Sequence, residues 1–180
     1  MATPGTTAAV LVDVDGVVSP YPSDSSDRAH WPADSWHEAL LAGTLTLEWS
    51  GLLIDRLRAI AARPGVEMLW CTTWQHRAPR ILGPAIGLGE DWPWLDDATG
   101  EWALTFHWWK AERARDALAA HDRVVWMDDF VDAWRDEAAR VTTTEPRWWE
   151  DARLLALSPD PQRGLEPGHL DQVEAFLDTP

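Results

Sequence analysis

The chain has 180 residues, of which 30 are Asp or Glu and 15 are Lys or Arg, and its formal net charge is −15. The length is typical of a single domain spanning 1–180, and the acidic excess opposes binding to anionic membranes and to duplex nucleic acid. The single cysteine, Cys71, excludes an intramolecular disulfide, and no run of 18 apolar residues is present. We therefore expect a cytoplasmic protein without a membrane span.

Apolar runs and helix-period patterns alternate along the chain. The apolar runs predict strands at 8–14, 66–71, 123–127 and 152–157. Helices are predicted at 51–62, where Ser50 offers a cap, and then at 79–86, 110–120, 132–140 and 170–177. Residues 16–49 form a flap or loop region with a hairpin around Gly43, and 74–109 form a short insertion. This alternation predicts an α/β protein, a three-layer Rossmann-like fold with a mainly parallel central sheet.

Acidic or hydroxyl side chains follow the first three predicted strands. Because ligands of parallel sheets bind beyond the carboxyl ends of the strands, these side chains are expected to share one site. Two carboxylates about 4 Å apart repel by roughly 4 kcal/mol at an effective dielectric constant of 20, so they require a cation or a shared proton. Magnesium binds carboxylate oxygens and leaves positions for phosphate. The residues concerned are Asp13, Asp15, Thr72, Thr73, Asp128 and Asp129.

Lys110 supplies the positive charge that such a site needs. It is the only lysine among the 15 basic residues, and it stands where a helix begins. A compact ammonium on a flexible stem can reach both a carboxylate and a phosphate. Either Thr72 or Thr73 can supply a hydroxyl to the same pocket, and the sequence leaves this choice open.

These blocks resemble the four motifs of the haloacid dehalogenase superfamily of phosphatases. They occur in order as "VLVDVDGVV", "MLWCTT", Lys110 and "VVWMDD", between residues 10 and 129. The blocks "WCTTW" and "VWMDD", with the later "GLEPGHL", are similar to a small subgroup, some members of which are associated with RNA-repair proteins.

The resemblance implies a chemical role for each matched residue. Asp13 would attack phosphorus to form an aspartyl-phosphate, and Asp15 would act as general acid and base. Thr72 would bind the phosphoryl oxygens, and Lys110 would neutralise them. Mg²⁺ would be held by Asp13, the backbone carbonyl of Asp15, Asp128 and Asp129. The acid at position 15 favours phosphoryl transfer over dehalogenation.

The insertions between the motifs are too short for a full cap domain, so we expect an open site with a small flap. Further candidates for phosphate or substrate binding are Gly16, Thr73, Trp74 and Arg77. Several tryptophans near the second and third motifs either stack on a nucleobase or pack in the core: Trp74, Trp92, Trp94, Trp108 and Trp109.

The expected activity is Mg²⁺-dependent hydrolysis of a phosphomonoester. The substrate would be a phosphorylated small molecule or a nucleic-acid end. Two alternatives remain open at this stage: an RNA-end phosphatase or phosphotransferase, and a catalytically silent module that binds phosphate or metal. The oligomeric state is left undetermined by the sequence.

Overall fold

A computed structural model describes residues 7–41, 45–97, 108–141 and 147–179. Six strands are present in these ranges: β1 (Ala8–Val12), β2 (Trp36–Leu41), β3 (Leu45–Ser50), β4 (Val66–Trp70), β5 (Arg123–Met127) and β6 (Leu154–Leu157). The helices are α1 (Gly51–Ala61), α2 (Gly83–Ile86), α3 (Trp109–Ala120), α4 (Val131–Val141) and α5 (Pro167–Asp178). The predicted turn around Gly43, the stretch 98–107 of the predicted insertion and residues 142–146 lie outside the described residues.

Four strands form a parallel sheet in the order β4-β1-β5-β6. Strand β1 is central, and all five of its residues are buried. A strand covered on both faces is continuously apolar, which is why the pattern in the sequence predicted it. The chain leaves β1 toward β4 and later returns to the other side of β1 as β5. Ligands of open α/β sheets bind at such a switch point.

Two apolar layers cover the sheet, one on each face. Val10 and Val12 of β1 belong to one cluster with residues of α1 and α5. Ala9 and Leu11 belong to the other cluster, with residues of α3 and α4. The alternation follows from the period of two along a strand. The α/β class and the parallel sheet are therefore confirmed, and the layering is compatible with a Rossmann-like fold.

The flap is a two-stranded antiparallel hairpin of β2 and β3, with Trp36 opposite Ser50. The hairpin is confirmed, whereas the cap bond proposed for Ser50 is absent. Ser50 directly precedes α1, but its hydroxyl makes no hydrogen bond to the backbone of that helix and instead contacts Ser35 Oγ at 2.9 Å. No helix in the described part of the chain is both long and apolar enough to cross a bilayer.

Most predicted boundaries differ from the structure by one to three residues, and three of the differences concern the segments that lead to the carboxyl edge of the sheet. Strand β1 ends at Val12 rather than 14 because the carbonyl of Val14 accepts hydrogen bonds from the amides of Val17, Val18 and Ser19 in a tight turn. Strand β4 ends at Trp70, one residue early. The helix expected at 79–86 begins as a π-helical segment, Ala78–Leu82, before α2.

The segment after β6 supports the turn that follows β1. The amide of Leu165 donates to the carbonyl of Val17 at 2.8 Å, and the indole of Trp31 donates to the carbonyl of Leu165 at 2.9 Å. Gly164 adopts φ +67°, and a Cβ there would lie 2.6 Å from the carbonyl oxygen of Val17. Only glycine is accommodated at this position without strain.

We expect Gly164→Ala to lower the free energy of unfolding by at least about 1 kcal/mol, because a left-handed conformation alone costs an alanine about this much. Gly168→Ala is the matched control, since nothing lies within 4 Å of its added Cβ and it stands in α5. The control should be neutral or stabilising. Denaturant unfolding of both variants checks this, and equal effects would contradict it.

Candidate active site

Backbone hydrogen bonds extend the sheet by one residue at the carboxyl ends of three strands. The amide of Asp13 donates to the carbonyl of Met127 at 3.0 Å, and the amide of Cys71 donates to the carbonyl of Val12 at 2.9 Å. The amide of Asp128 donates to the carbonyl of Leu157 at 3.1 Å. These bonds fix the position of the first residue after each strand. Asp13 and Asp128 therefore lie side by side at the ends of the neighbouring strands β1 and β5.

Lys110 joins these two carboxylates. Its Nζ donates to Asp13 Oδ2 and to Asp128 Oδ2, both at 2.6 Å, and the side chain of Lys110 is only 4% exposed. Burial would lower the pKa of Lys110, but the two carboxylates raise it, so the ammonium stays charged. The residues come from β1, β5 and the first turn of α3, and their convergence was predicted from the sequence.

Each of these carboxylates also accepts a backbone hydrogen bond. The amide of Val14 donates to Asp13 Oδ1 at 2.7 Å, and the amide of Phe130 donates to Asp128 Oδ1 at 2.9 Å. Complete burial raises the pKa of Asp128, while Lys110 opposes that effect. Removing either carboxylate would leave the buried ammonium with one partner, which is costly in a buried ion pair.

Asp13, Asp128 and Asp129 form an acidic cluster that could hold a metal ion. One carboxylate oxygen from each lies within 4.8 Å of the other two. Asp129 Oδ1 is buried and has no hydrogen-bond partner among the described residues. Burial, followed by the charge of Asp13, raises the pKa of Asp129 to about 6. An all-oxygen donor set with an unsatisfied oxygen is suited to a hard divalent cation such as Mg²⁺.

The carboxylate of Asp15 has different partners. Its Oδ2 accepts a hydrogen bond from the indole Nε1 of Trp74 at 3.0 Å, and Tyr21 lines the same cavity. Burial raises the pKa of Asp15, the bond from Trp74 lowers it, and the charge of Asp13 raises it again. The net direction is upward, which favours the protonated form that a general acid needs. The side chain of Asp15 does not belong to the metal-binding cluster.

Gly16 is required by the crowding behind this turn. It adopts φ +73°, and a Cβ would lie 2.8 Å from Asp129 Oδ2 and 3.0 Å from Pro161 Cβ. The contribution of Gly16 to phosphate binding stays a prediction. The structure gives a steric reason for glycine here, because a larger residue in the turn after β1 would collide with Asp129.

The two threonines occupy different environments. Thr72 is buried, and its Oγ1 accepts a hydrogen bond from the amide of Trp74 at 3.3 Å. Thr73 is partly exposed and lines a cavity of about 470 Å³. Arg77 is exposed, and its guanidinium lies 5.8 Å from the ring centroid of Trp74 rather than at the cavity wall.

The cavity opens above the carboxylates at the ends of β1 and β5. Of the predicted residues, Thr72, Trp74, Arg77, Gly16 and Asp128 do not line it. Two residues that sequence reasoning missed, Tyr21 and Phe130, do. Among the residues that the structure describes, the lining consists of Asp13, Asp15, Tyr21, Thr73, Trp108, Trp109, Lys110, Asp129 and Phe130.

The tryptophans serve mainly as packing. Trp92, Trp108 and Trp109 are buried, and Trp94 is exposed but is not part of the cavity wall. The ammonium of Lys110 lies 5.5 Å from the ring centroid of Trp108 and 5.9 Å from that of Trp109, so both indoles also stabilise the buried charge.

We expect Asp129→Asn to change the thermal stability in opposite directions without and with a bound metal ion. When the pKa of a carboxyl group is higher in the folded than in the unfolded state, the folded protein becomes less stable as the pH rises. For Asp129 this loss falls between about pH 4 and about pH 6. At pH 8 in EDTA, Asp129→Asn should therefore raise the melting temperature. In excess Mg²⁺ the wild type should gain about 2.7 kcal/mol at 100 times its dissociation constant, and the variant should gain much less.

Asp136→Asn, on the exposed side of α4, is the control for the loss of one negative charge. It should change the melting temperature little and leave the Mg²⁺ response intact. A thermal shift series at constant ionic strength measures all three proteins. An equal Mg²⁺ response in the wild type and Asp129→Asn would show that this cluster does not bind the ion.

The chain was compared with protein-family models, with curated proteins and with solved structures. None of the three comparisons finds a match. The chemistry of the site is therefore inferred from the residues it brings together.

Proposed function

We propose that this chain is a Mg²⁺-dependent phosphomonoester hydrolase of the haloacid dehalogenase type, acting through an aspartyl-phosphate. The observation that carries the proposal is the single buried ammonium of Lys110, held at 2.6 Å from both Asp13 and Asp128 at the ends of adjacent parallel strands. A second carboxyl group, Asp15, stands beside them with a raised pKa. A nucleophile, an acid and a cation thus face one cavity.

Asp13 is the proposed nucleophile. Its carboxylate lines the cavity and is oriented by Lys110 and by the amide of Val14. One carboxylate oxygen would form a bond to phosphorus while the bond from phosphorus to the ester oxygen breaks. Because both orienting donors are fixed by the sheet and by α3, the attacking group needs little reorganisation.

Asp15 is the proposed proton donor and acceptor. In the first step its proton would go to the departing ester oxygen, which leaves as an alcohol. In the second step the Asp15 carboxylate would take a proton from water as the water oxygen attacks phosphorus and the bond to Asp13 breaks. The indole of Trp74 bonds this side chain, which does not belong to the acidic cluster.

The carboxylates of Asp13, Asp128 and Asp129, with the backbone carbonyl of Asp15, are the proposed ligands of Mg²⁺. The ion would offset the repulsion between these carboxylates and the phosphoryl group. Thr73 lines the cavity and is positioned for a phosphoryl oxygen, while Thr72 is engaged with the amide of Trp74. We therefore favour Thr73 for the hydroxyl contact, although the family resemblance implies Thr72.

We expect Asp13→Asn to abolish phosphate release from a generic phosphomonoester, because an amide cannot form the covalent intermediate. The assay is inorganic phosphate release with Mg²⁺ and with EDTA, and EDTA should also abolish it. Asp136→Asn is the control and should retain wild-type turnover. Full activity in Asp13→Asn would refute the proposed nucleophile.

Trp74→Phe should slow turnover and change its pH dependence, because it removes the donor that favours the ionised form of Asp15. Without that bond the pKa of Asp15 rises further, so the alkaline decline of kcat/KM should move to higher pH. A pH series of both enzymes measures this. A lower rate with an unchanged pH profile would mean that Trp74 acts only through packing.

A further inference from the structure

The mouth of the cavity carries two exposed aromatic side chains. Tyr21 is 58% exposed and Phe130 is 46% exposed, and both line the cavity that contains Asp13 and Lys110. Phe130 is anchored on one side by the buried Trp108, with ring centroids 6.5 Å apart in an edge-on arrangement. Single exposed apolar residues are common, but two aromatic rings at the rim of one polar cavity offer surface for a flat apolar group.

Tyr21 and Asp15 line the same cavity, and most of the surface of Tyr21 remains exposed at its rim. A planar group on the alcohol part of an ester would contact this ring when the ester oxygen is near Asp15.

The described part of the cavity wall offers no free lysine or arginine for a second phosphate. Lys110 is the only such residue among the described lining, and its ammonium is already shared by Asp13 and Asp128. All 15 lysine and arginine residues fall within the described ranges, and most of the arginines form ion pairs elsewhere. With Asp15 protonated, as the first step requires, the other three carboxylates and one ammonium leave the site with a formal charge of −2, which a divalent cation neutralises, so no positive charge remains for a second phosphate.

We propose that the site selects monophosphate esters whose alcohol part carries a planar aromatic ring and no further negative charge, such as a nucleoside monophosphate. This inference rests on the phosphomonoesterase proposed above. The rings of Tyr21 and Phe130 stack on the base, and the wall has no spare positive charge to bind a second phosphate. Oligonucleotide ends and bisphosphates are therefore poor substrates. A cavity of about 470 Å³ is in the size range of small-ligand sites.

A matched pair of substrates isolates the contribution of the ring. Adenosine 5'-monophosphate and the methyl riboside 5-phosphate have the same primary ribose hydroxyl as leaving group and differ in the base. Stacking on aromatic side chains predicts a kcat/KM ratio on the order of tenfold or more in favour of the nucleotide. Adenosine 3',5'-bisphosphate and a 3'-phosphorylated oligonucleotide should both be cleaved more slowly than the monophosphate.

Phe130→Leu should lower the ratio severalfold without abolishing it, because leucine keeps an apolar side chain without a ring while the ring of Tyr21 remains. The position is suitable because the bond from the backbone amide to Asp128 is retained. Trp94→Leu is the matched control, since Trp94 is 40% exposed and lies outside the cavity wall. It should preserve the wild-type ratio.

The outcomes separate the two proposals. Phosphate release without preference for the nucleotide, or faster cleavage of the bisphosphate or oligonucleotide, overturns the aromatic selection and leaves the hydrolase in place. Absence of release from every ester overturns the hydrolase. In that case the affinities for adenosine monophosphate and for the methyl riboside phosphate are compared by calorimetry with Mg²⁺ present. Tighter binding of the nucleotide supports selection of the aromatic ring, and equal affinities overturn it.

Discussion

The buried contact of Lys110 with Asp13 and Asp128 is the constraint on which the site depends. Removing an ion from water costs several kcal/mol even after relaxation, and here three charged groups are almost fully buried. That cost is offset only if both pairs are short and the remaining carboxylate oxygens have donors, and both conditions are met. Strands β1 and β5 must therefore be adjacent, parallel and in register, and α3 must begin directly above their carboxyl ends. The buried charges are thus tolerated only in a chain that adopts this arrangement of β1, β5 and α3.

The same contact limits what the lysine can do for an anion. Because two carboxylates share its ammonium, Lys110 has little positive potential left for a phosphate. Asp129 adds another negative group, with an oxygen that lacks a partner among the described residues. The side chains alone thus oppose anion binding at the proposed nucleophile, Asp13. A divalent cation bound to the cluster would offset this negative charge, so the charges of the side chains support the proposed metal dependence.

The sequence predicted the features that follow from periodicity and strand order, and missed those that depend on how loops fold back. The four sheet strands and the residues after them were found because buried parallel strands are continuously apolar and end together at one edge. Tyr21 and Phe130 were missed because an isolated aromatic residue in a loop has no periodic signal. Trp74 was taken as a substrate contact, whereas its indole bonds Asp15. Such a contact between side chains 59 positions apart leaves no trace in local pattern.

The division of the carboxyl groups into two environments gives the site its chemical asymmetry. Asp13 is oriented by an ammonium and an amide. Asp15, two residues later, instead bonds the indole of Trp74, and burial raises its pKa against the effect of that bond. The tight turn at Gly16 produces this separation, because it reverses the chain directly after Asp15 and leaves no room for a Cβ against Asp129. One short turn therefore places the proposed nucleophile and the proposed proton donor on the same cavity, which is the arrangement that the proposed two-step transfer of a phosphoryl group requires.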